Sequence, residues 1–228
     1  DEYLTLLFQN GTWELILKFI PFVLFFELPL SLLVLMGVIR YSIFRKYEGE
    51  RSPFFPPVTC IITCYSEGRD VQRTIASLTE QVYPGKIEML AMIDGAAKNK
   101  LTYESALEMA DYVAGFQNRV LLVIPKWQRG GRVSSLNTGL NFASGEIVMA
   151  VDGDTSFDNN MVERATRHFE DPGVSAVSGC LRVRNADESL VAALQAIEYF
   201  ISIQASKTGL STFNLVNNIS GAFGVFRK

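Results

Sequence analysis

Residues 146–154 read EIVMAVDGD, an apolar run that ends in two carboxylates separated by one glycine. The apolar part is typical of a buried β-strand, and side chains at positions i and i+2 of a strand point to the same side. Asp152 and Asp154 can therefore converge on one hard divalent cation. Carboxylate oxygens select Mg²⁺ or Mn²⁺, which proteins usually bind together with the phosphates of a substrate. A plain Asp-Gly turn without a ligand fits the same residues, because both are common in turns.

The chain after residue 57 alternates between apolar strands and amphipathic helices. Strands are predicted at 58–64, 87–93, 120–124, 146–151 and 174–183, and helices at 70–81, 102–114, 133–143, 158–170 and 188–205. This alternation predicts right-handed crossovers and a parallel sheet that helices cover on both faces. We expect Pro125 to end the third strand, and Leu107, Ala110 and Val113 to form the inner face of the second helix. The predicted fold class is therefore α/β.

Polar residues stand at the ends of three predicted strands. Residues 65–67 (Tyr-Ser-Glu) follow the first strand, Asp94 ends the second, and Asp152 with Asp154 follow the fourth. Ligands of open parallel sheets bind outside the carboxyl ends of the strands, so these residues predict one cleft. The sequence contains no G-x-G-x-x-G after the first strand, no G-x-x-x-x-G-K-[ST] and no G-x-S-x-G, which argues against a dinucleotide fold, a P-loop and a serine-hydrolase elbow.

The composition narrows the function classes further. The chain has 228 residues and a formal net charge of −3, which argues against general nucleic-acid binding. Its cysteines, Cys60, Cys64 and Cys180, lack metal-ligand spacing, and His168 is the single histidine. We therefore expect neither a zinc site nor a disulfide framework, and a reducing, cytosolic environment fits best.

Residues 19–39 read FIPFVLFFELPLSLLVLMGVI, which is long and apolar enough to cross a bilayer. Glu27 is costly within a membrane unless it meets a partner. It therefore indicates packing against further membrane helices or additional membrane subunits, or else an interfacial placement. We expect a transmembrane helix.

Basic residues flank this segment unevenly. Lys18 precedes it, whereas Arg40, Arg45, Lys46 and Arg51 follow it. The positive-inside rule then predicts that the long C-terminal part lies in the cytoplasm, at the cell (inner or plasma) membrane. The expected organisation is a short extracytoplasmic segment at 1–18, a transmembrane helix at 19–39, a basic, proline-containing linker at 40–56, and the α/β domain at 57–228.

Five elements, in order along residues 58–228, resemble the nucleotide-sugar domain of inverting, membrane-integrated family 2 glycosyltransferases. This group contains the cellulose, chitin, hyaluronan and poly-N-acetylglucosamine synthases. The matching elements are Thr63–Glu67 (family A/T-Y-N-E, with Ser66 in place of Asn), Asp94, Gly131–Asn137 (family G-K-x-x-A-L-N, with Arg132 in place of Lys), the D-x-D of Asp152–Asp154, and Gln195 to Tyr199 followed by Ser220 to Arg227. The resemblance implies a GT-A-type, Rossmann-like nucleotide-sugar-binding domain, preceded by the transmembrane helix.

The resemblance also implies a role for each matched residue. Asp154, together with Asp152, would hold Mg²⁺ or Mn²⁺, and Asp152 would lie near the ribose or the metal. Arg132 would contact the nucleotide, and its planar guanidinium can bind phosphate through two parallel hydrogen bonds where lysine offers a point charge. Tyr65, Glu67 and Asp94 would recognise uridine through stacking and carboxylate hydrogen bonds. The helix and strand beside the acceptor would contribute Gln195, Glu198, Tyr199, Ser220 and Gly221.

The implied activity is inverting, metal-assisted transfer of a sugar from a UDP-sugar to a growing β-linked polysaccharide. UDP-N-acetylglucosamine is slightly preferred over UDP-glucose as the donor. The general base of this family stands in a T-E-D segment, which we expect beyond Lys228. We also expect the family's Q-x-x-R-W segment and later membrane helices there. The 228 residues are then a donor-binding part, incomplete at the C-terminus and inefficient in turnover by itself.

Two alternatives remain open. One is a non-processive glycosyltransferase that adds a sugar to a lipid or protein acceptor; Q-x-x-R-W and the following membrane helices would distinguish the processive enzyme. The other is a non-catalytic module that binds nucleotide or docks other subunits, in which Asp152 and Asp154 are turn residues. The glycines of residues 214–228 fit either close approach to a ligand or a turn before an edge strand.

Overall fold

The computed structural model of the protein describes residues 12–44 and 53–228, with the backbone alone at 12–16. Residues 1–11 of the predicted extracytoplasmic segment and residues 45–52 of the predicted linker lie outside the described residues. The chain forms two compact units. The first is Asp1–Gly49 with Cys180–Asn217, and the second is Glu50–Gly179 with Asn218–Lys228. The predicted domain boundaries stay predictions.

The second unit is built on a six-stranded sheet with the order β3-β2-β1-β4-β6-β5. Its strands are β1 (Val58–Cys64), β2 (Ile87–Asp94), β3 (Arg119–Lys126), β4 (Ile147–Asp152), β5 (Ala176–Ser178) and β6 (Phe223–Arg227). Strands β1 to β4 run parallel, as predicted, whereas β6 is antiparallel to both β4 and β5. Strand β6 lies inside the sheet, so the edge strand that one of the two alternatives for residues 214–228 contained is not found. The strand predicted at 174–183 is shortened to β5.

Side chains of β1 and β2 are buried along their whole length, because the sheet is covered on both faces. Strand β3 forms the edge of the sheet, and Val120 and Leu122 on it are partly exposed. Pro125 lies within β3 rather than ending it, which corrects the sequence-based expectation. Proline is tolerated there because an edge strand has backbone groups without a partner strand.

Helices connect the strands in the expected places. In the second unit they are α3 (Asp70–Thr79), α4 (Lys100–Leu107), α5 (Ala110–Ala114), α6 (Gly131–Phe142) and α7 (Met161–Thr166), which continues as a 3₁₀ turn at Arg167–Glu170. The helix predicted at 102–114 is split into α4 and α5. Helix α4 buries Thr102, Ser105 and Ala106, so the predicted inner face is correct only at Val113, and Leu107 and Ala110 are exposed.

Two helical segments lie in the described residues of the first unit. One consists of α1 (Thr12–Phe22), a π-helical turn (Val23–Glu27) and α2 (Leu28–Ile43); the other consists of α8 (Leu190–Tyr199), a π-helical turn (Phe200–Ala205) and α9 (Ser206–Ser211). Leu17–Ile43 is long and apolar enough to cross a membrane, with 27 residues and a mean hydropathy of 2.4. The π-helical turn lies between Pro21 and Pro29, which cannot donate backbone hydrogen bonds.

Helices α2 and α9 cross at two glycines. A Cβ atom on Gly209 would lie 2.5 Å from the carbonyl oxygen of Val34, and a Cβ on Gly37 would collide with the backbone of Gly209. The Arg40 guanidinium lies 5.7 Å above the ring of Phe213 in the same unit. The backbones therefore approach so closely that neither glycine can carry a side chain.

A buried carboxylate joins the amino-terminal ends of β1 and β2 to the loop between α6 and β4. Glu88 accepts hydrogen bonds from the Thr59 hydroxyl (2.6 Å), the Ser144 N–H (2.8 Å) and the Ser144 hydroxyl (2.8 Å). Burial alone would raise the pKa of Glu88, but these three bonds and the charge of Lys86 outweigh it, and the pKa is lower than usual. Glu88 therefore stabilises the sheet as a charged group.

Glu88→Ala is expected to lower the free energy of unfolding by about 1–3 kcal/mol, because it leaves buried donors without an acceptor. The contribution of Glu88 should be complete above the pKa of an unfolded glutamate, about 4.3. It should be lost as the pH falls through the lower pKa of the folded state, since the unfolded chain binds the proton more readily. Unfolding of the detergent-solubilised chain at neutral and acidic pH measures both effects. Glu104→Gln, at an exposed position of α4, is the control, and equal stability of Glu88→Ala and the wild type would contradict this role.

Candidate functional site

The carboxyl ends of β1, β2 and β4 meet at one edge of the sheet. Cys64 pairs with Ile93 across β1 and β2, and Thr63 pairs with Asp152 across β1 and β4. Because these strands are parallel and in register, the segments that follow them start side by side. The structure thus brings the polar strand ends predicted from the sequence to the same edge.

Gly153 forms a tight, buried turn between the two aspartates. Its N–H donates to the Thr63 carbonyl (3.0 Å), and its carbonyl accepts from the Thr74 hydroxyl (2.8 Å). A Cβ atom at this position would lie 2.9 Å from Cys64 Sγ and 3.1 Å from the Thr63 carbonyl oxygen. Gly153 does not have a positive φ, so glycine is required by lack of space rather than by the turn conformation. The turn fixes Asp152 and Asp154 against the end of β1.

Asp152 forms an ion pair with Arg132. Its Oδ1 accepts from Arg132 Nε (3.0 Å), from Arg132 Nη2 (2.9 Å) and from the Thr63 hydroxyl (3.2 Å). Arg132 Nη2 also donates to the carbonyl of Gly221, in the segment before β6. Both side chains are about one-third exposed, at 38% for Arg132 and 33% for Asp152. The guanidinium therefore neutralises Asp152 at a position that solvent and ligands can reach.

Asp154 is exposed, and its carboxylate is only weakly hydrogen-bonded by neighbouring residues. The one hydrogen bond to its carboxylate within residues 12–44 and 53–228 comes from the Thr155 hydroxyl, at 3.4 Å. Its oxygens therefore keep their capacity to bind a cation or another donor. This availability distinguishes Asp154 from Asp152, whose Oδ1 is already in use.

Glu67 lies against the same turn. Its carboxyl carbon would be 3.4 Å from a Cβ atom on Gly153, and its Oε2 is buried without a hydrogen-bond partner in the described part of the chain. Burial raises the pKa of Glu67, backbone hydrogen bonds at Tyr65 and Glu67 oppose the rise, and the charges of Asp154 and Asp152 add to it. Three carboxylates thus gather around Gly153, and one of them has a buried oxygen that lacks a donor.

These residues fit a divalent cation that is shared with a substrate. In the described ranges, no group of three or more His, Cys, Asp and Glu side chains is arranged to hold a metal by itself. Mg²⁺ and Mn²⁺, however, are commonly bound through one or two carboxylates and completed by substrate phosphates and water. The exposed Asp154, the neighbouring Asp152 and the buried, unpartnered Glu67 oxygen supply negative charge where such a cation would lie.

Asp94 holds the start of α6. Its Oδ1 accepts from Lys126 Nζ (3.0 Å) and the Gly130 N–H (2.9 Å), and its Oδ2 accepts from the Gly131 N–H (2.8 Å). Burial alone would raise the pKa of Asp94, but these hydrogen bonds and the charge of Lys126 outweigh it, so the pKa lies below its usual value. The predicted contact of Asp94 with uridine stays a prediction, and in this structure its carboxylate positions the loop before α6.

Three residues make contacts at this edge that were not predicted from the sequence. Thr63 binds Asp152, Lys126 binds Asp94, and the guanidinium of Arg129 lies 3.9 Å from the centre of the Tyr65 ring. Arg129 stands directly before the Gly-Gly that leads to Arg132, so its position beside a recognised motif was the available signal. The contacts of Lys126 and Thr63 depend on the register between neighbouring strands, which cannot be read from the sequence motifs.

The predicted acceptor residues fall in both units. Gln195, Glu198 and Tyr199 lie on α8 of the first unit, and the side chains of Gln195 and Glu198 are exposed. Ser220 and Gly221 lie in the second unit, just before β6. Of these five residues, Gly221 is the one with a described contact to Arg132. The acceptor assignments stay predictions.

Comparison with known proteins gives the family. Residues 59–228 match the family described as glycosyl transferase family 2. The chain is 29% identical over 216 residues to a poly-beta-1,6-N-acetyl-D-glucosamine synthase of Staphylococcus epidermidis, covering 91% of this chain and 50% of that protein. It is 27% identical over 220 residues to the enzyme of the same name from Staphylococcus aureus strain COL, covering 93% and 51%. The chain thus spans about half the length of the curated relatives it matches.

A solved structure shows the same fold. The mannosyltransferase PcManGT from Pyrobaculum calidifontis, determined in complex with GDP-Man and Mn2+, aligns with a TM-score of 0.62 at 21% identity, over 87% of this chain and 53% of that chain. This confirms the predicted GT-A-type α/β fold. The family match covers the whole carboxylate edge described above, and the chain belongs to glycosyl transferase family 2.

Proposed function

We propose that the chain is the donor-binding part of an inverting, metal-assisted glycosyltransferase that transfers a sugar from a UDP-sugar to a growing β-linked polysaccharide. The observation that carries the proposal is the gathering of Glu67, Asp152 and Asp154 around Gly153, with Arg132 beside them. A nucleoside diphosphate with its cation places positive charge next to carboxylates and negative charge next to an arginine. That arrangement of charges matches this edge of the sheet.

The names of the relatives support the choice of substrate. Both Staphylococcus proteins are poly-beta-1,6-N-acetyl-D-glucosamine synthases, which favours UDP-N-acetylglucosamine as the donor and an amino-sugar polymer as the acceptor. UDP-glucose is the second choice. Gln195 and Glu198, which are exposed on α8, together with the half-buried Tyr199 and the Ser220-Gly221 segment, are our candidates for acceptor contacts.

Each part of the donor has a candidate partner. Asp154, with Asp152, would hold Mg²⁺ or Mn²⁺, which when bound acts as a Lewis acid that neutralises the leaving diphosphate. Arg132 would exchange part of its contact with Asp152 for a diphosphate oxygen, since a guanidinium can serve both. Tyr65 and Asp94 would bind uridine. Glu67, which was also predicted to bind uridine, lies against the Gly153 turn and would add its negative charge beside the cation. Inverting transfer also needs a carboxylate base for the acceptor hydroxyl, and we expect it beyond Lys228.

The helix Leu17–Ile43 supports a membrane location. Its apolar side chains are almost all exposed in the described structure, as expected for a helix that lies in lipid or packs on other membrane helices. We propose that it anchors the α/β domain of residues 57–228 at the cytoplasmic face of the cell membrane, where polymer synthesis would take place.

Asp154→Asn is expected to weaken Mn²⁺-dependent binding of UDP by about tenfold or more, because it removes the exposed carboxylate charge from the cation site. Asp152→Asn should weaken it as well and should also release Arg132 from its ion pair. Calorimetric titration of the detergent-solubilised chain with UDP, with and without Mn²⁺, measures these effects. Asp111→Asn, at an exposed position of α5, is the matched control. Unchanged Mn²⁺-dependent binding in both site variants would favour the non-catalytic reading, in which the aspartates are turn residues.

Arg132→Met is expected to reduce the affinity for UDP by about tenfold or more, because a charge-assisted hydrogen bond to phosphate is lost. Arg132→Lys should retain more of the affinity, since it keeps the positive charge. Binding of uridine, which has no phosphate, should be the same in both variants. Titration of each variant with UDP and uridine tests this, and a matching loss of uridine binding would show that Arg132 acts on the fold of the site instead.

A further inference from the structure

Lys126, the last residue of β3, is nearly buried and binds three side chains. Its ammonium donates to Asp94 Oδ1 at 3.0 Å. It also donates to the hydroxyls of Ser134 and Ser135, at 2.9 and 3.2 Å. The side chains of Lys126 and Asp94 are 14% and 5% exposed. A lysine ammonium has three N–H donors, and these contacts use all three, so Lys126 has no donor left for a ligand.

The acceptors of Lys126 belong to the start of α6 and to the end of β2. Helix α6 begins at Gly131, and the preceding Gly130 has no side chain to cap it. Asp94 takes that role from β2, since it accepts from the N–H groups of Gly130 and Gly131 at 2.9 and 2.8 Å. The first N–H groups of a helix otherwise attract anions such as phosphate. Because Asp94 occupies them here, a diphosphate must be bound by side chains instead.

Gly130 makes room for the contact between Lys126 and α6. A Cβ atom on Gly130 would lie 2.9 Å from Lys126 Nζ and 2.6 Å from Ser134 Oγ. The φ of Gly130 is −119°, which other residues adopt freely. Glycine is therefore required at position 130 by lack of space, and a larger residue would separate the lysine from the helix.

Arg132, the second residue of α6, depends on where this helix begins. Its guanidinium donates to Asp152 Oδ1 at 3.0 and 2.9 Å and also to the Gly221 carbonyl. Asp152 is held separately, by β4 and by the Thr63 hydroxyl. A shift of the start of α6 would thus move Arg132 while Asp152 stays in place. Hydrogen bonds weaken beyond about 3.2 Å, so a shift of about 1 Å is enough to break these contacts.

We propose that Lys126 is a positioning residue for the donor diphosphate, which acts through Arg132 and does not touch the donor itself. This inference rests on the proposed function. Lys126 neutralises Asp94, which would otherwise be a buried charge without a cation, and it holds the two serines at the start of α6. The helix then presents Arg132 to Asp152 and to the diphosphate at a fixed position.

The test is a double-mutant cycle between Lys126 and Arg132. The wild type, Lys126→Met, Arg132→Met and the double variant are titrated with UDP in the presence of Mn²⁺, and thermal unfolding checks that each is folded. Lys126→Met also leaves Asp94 without its cation. Gly130→Ala is therefore included, alone and with Arg132→Met, because it disturbs the same contact and keeps every charge. Lys86→Met is the matched control, since Lys86 is exposed and precedes β2 at the opposite end of that strand.

Lys126→Met is expected to weaken UDP binding about tenfold in the wild-type background and less than about twofold in the Arg132→Met background. Gly130→Ala should show the same dependence on Arg132 with a smaller loss, and Lys86→Met should bind as the wild type does. If Lys126→Met does not fold, the Gly130→Ala cycle decides by the same criterion.

Two results would overturn the positioning role. One is wild-type affinity for UDP in a folded Lys126→Met variant. The other is an equal loss in both backgrounds, which would make Lys126 a direct ligand or a residue that supports the fold alone. A folded wild-type chain that does not bind UDP with Mn²⁺ would instead overturn the proposed function itself.

Discussion

The candidate site depends on one close contact, the packing of Gly153 against the end of β1. The N–H of Gly153 is bonded to the Thr63 carbonyl, and the Cys64 sulfur fills the space where a side chain would be. Because β1 and β4 are also in parallel register, the chain after Asp152 must leave the sheet beside the chain after Cys64. A larger residue at 153 would push the two strand ends apart and would separate the D-x-D carboxylates from Glu67.

The edge of the sheet at this contact has two electrostatically different halves. At the β2 end, the charge of Asp94 is balanced by Lys126 and by two backbone N–H groups, so Asp94 needs no further cation. At the β4 end, Asp154 is exposed and Glu67 has a buried oxygen without a donor, while Arg132 balances Asp152. The β4 end is suited to a cation and a diphosphate, and the β2 end is suited to the uncharged base of the nucleotide. The donor orientation in our proposals follows from this difference.

Much of the framework was predictable from the sequence, because strands buried on both faces leave a strong local pattern. The predictions of β1 and β4 agree with the structure to within a residue, since each is a continuous apolar run bounded by turn residues or proline. The pairing of β6 was not predictable, because a short strand that contains glycine has a weak pattern and its partners are distant in sequence. The break between α4 and α5 was not predictable either, because it contains neither glycine nor proline.

The site residues also divide into those that the sequence predicted and those that it did not. Asp152, Asp154 and Arg132 stand in recognisable motifs, whereas the stacking of Arg129 on Tyr65 joins two loops that no local pattern relates. The acceptor residues of α8 belong to another unit of the chain, so their part in the reaction is a separate question from donor binding.

The most direct measurement of the central claim is an experimental structure of the chain with UDP and Mn²⁺, using the anomalous signal of manganese to locate the ion. Our account predicts manganese between the Asp154 carboxylate and the diphosphate of UDP, with Arg132 on a phosphate oxygen and the uracil ring at Tyr65. Manganese bound away from Asp154, or UDP with its diphosphate away from the Gly153 turn, would contradict it.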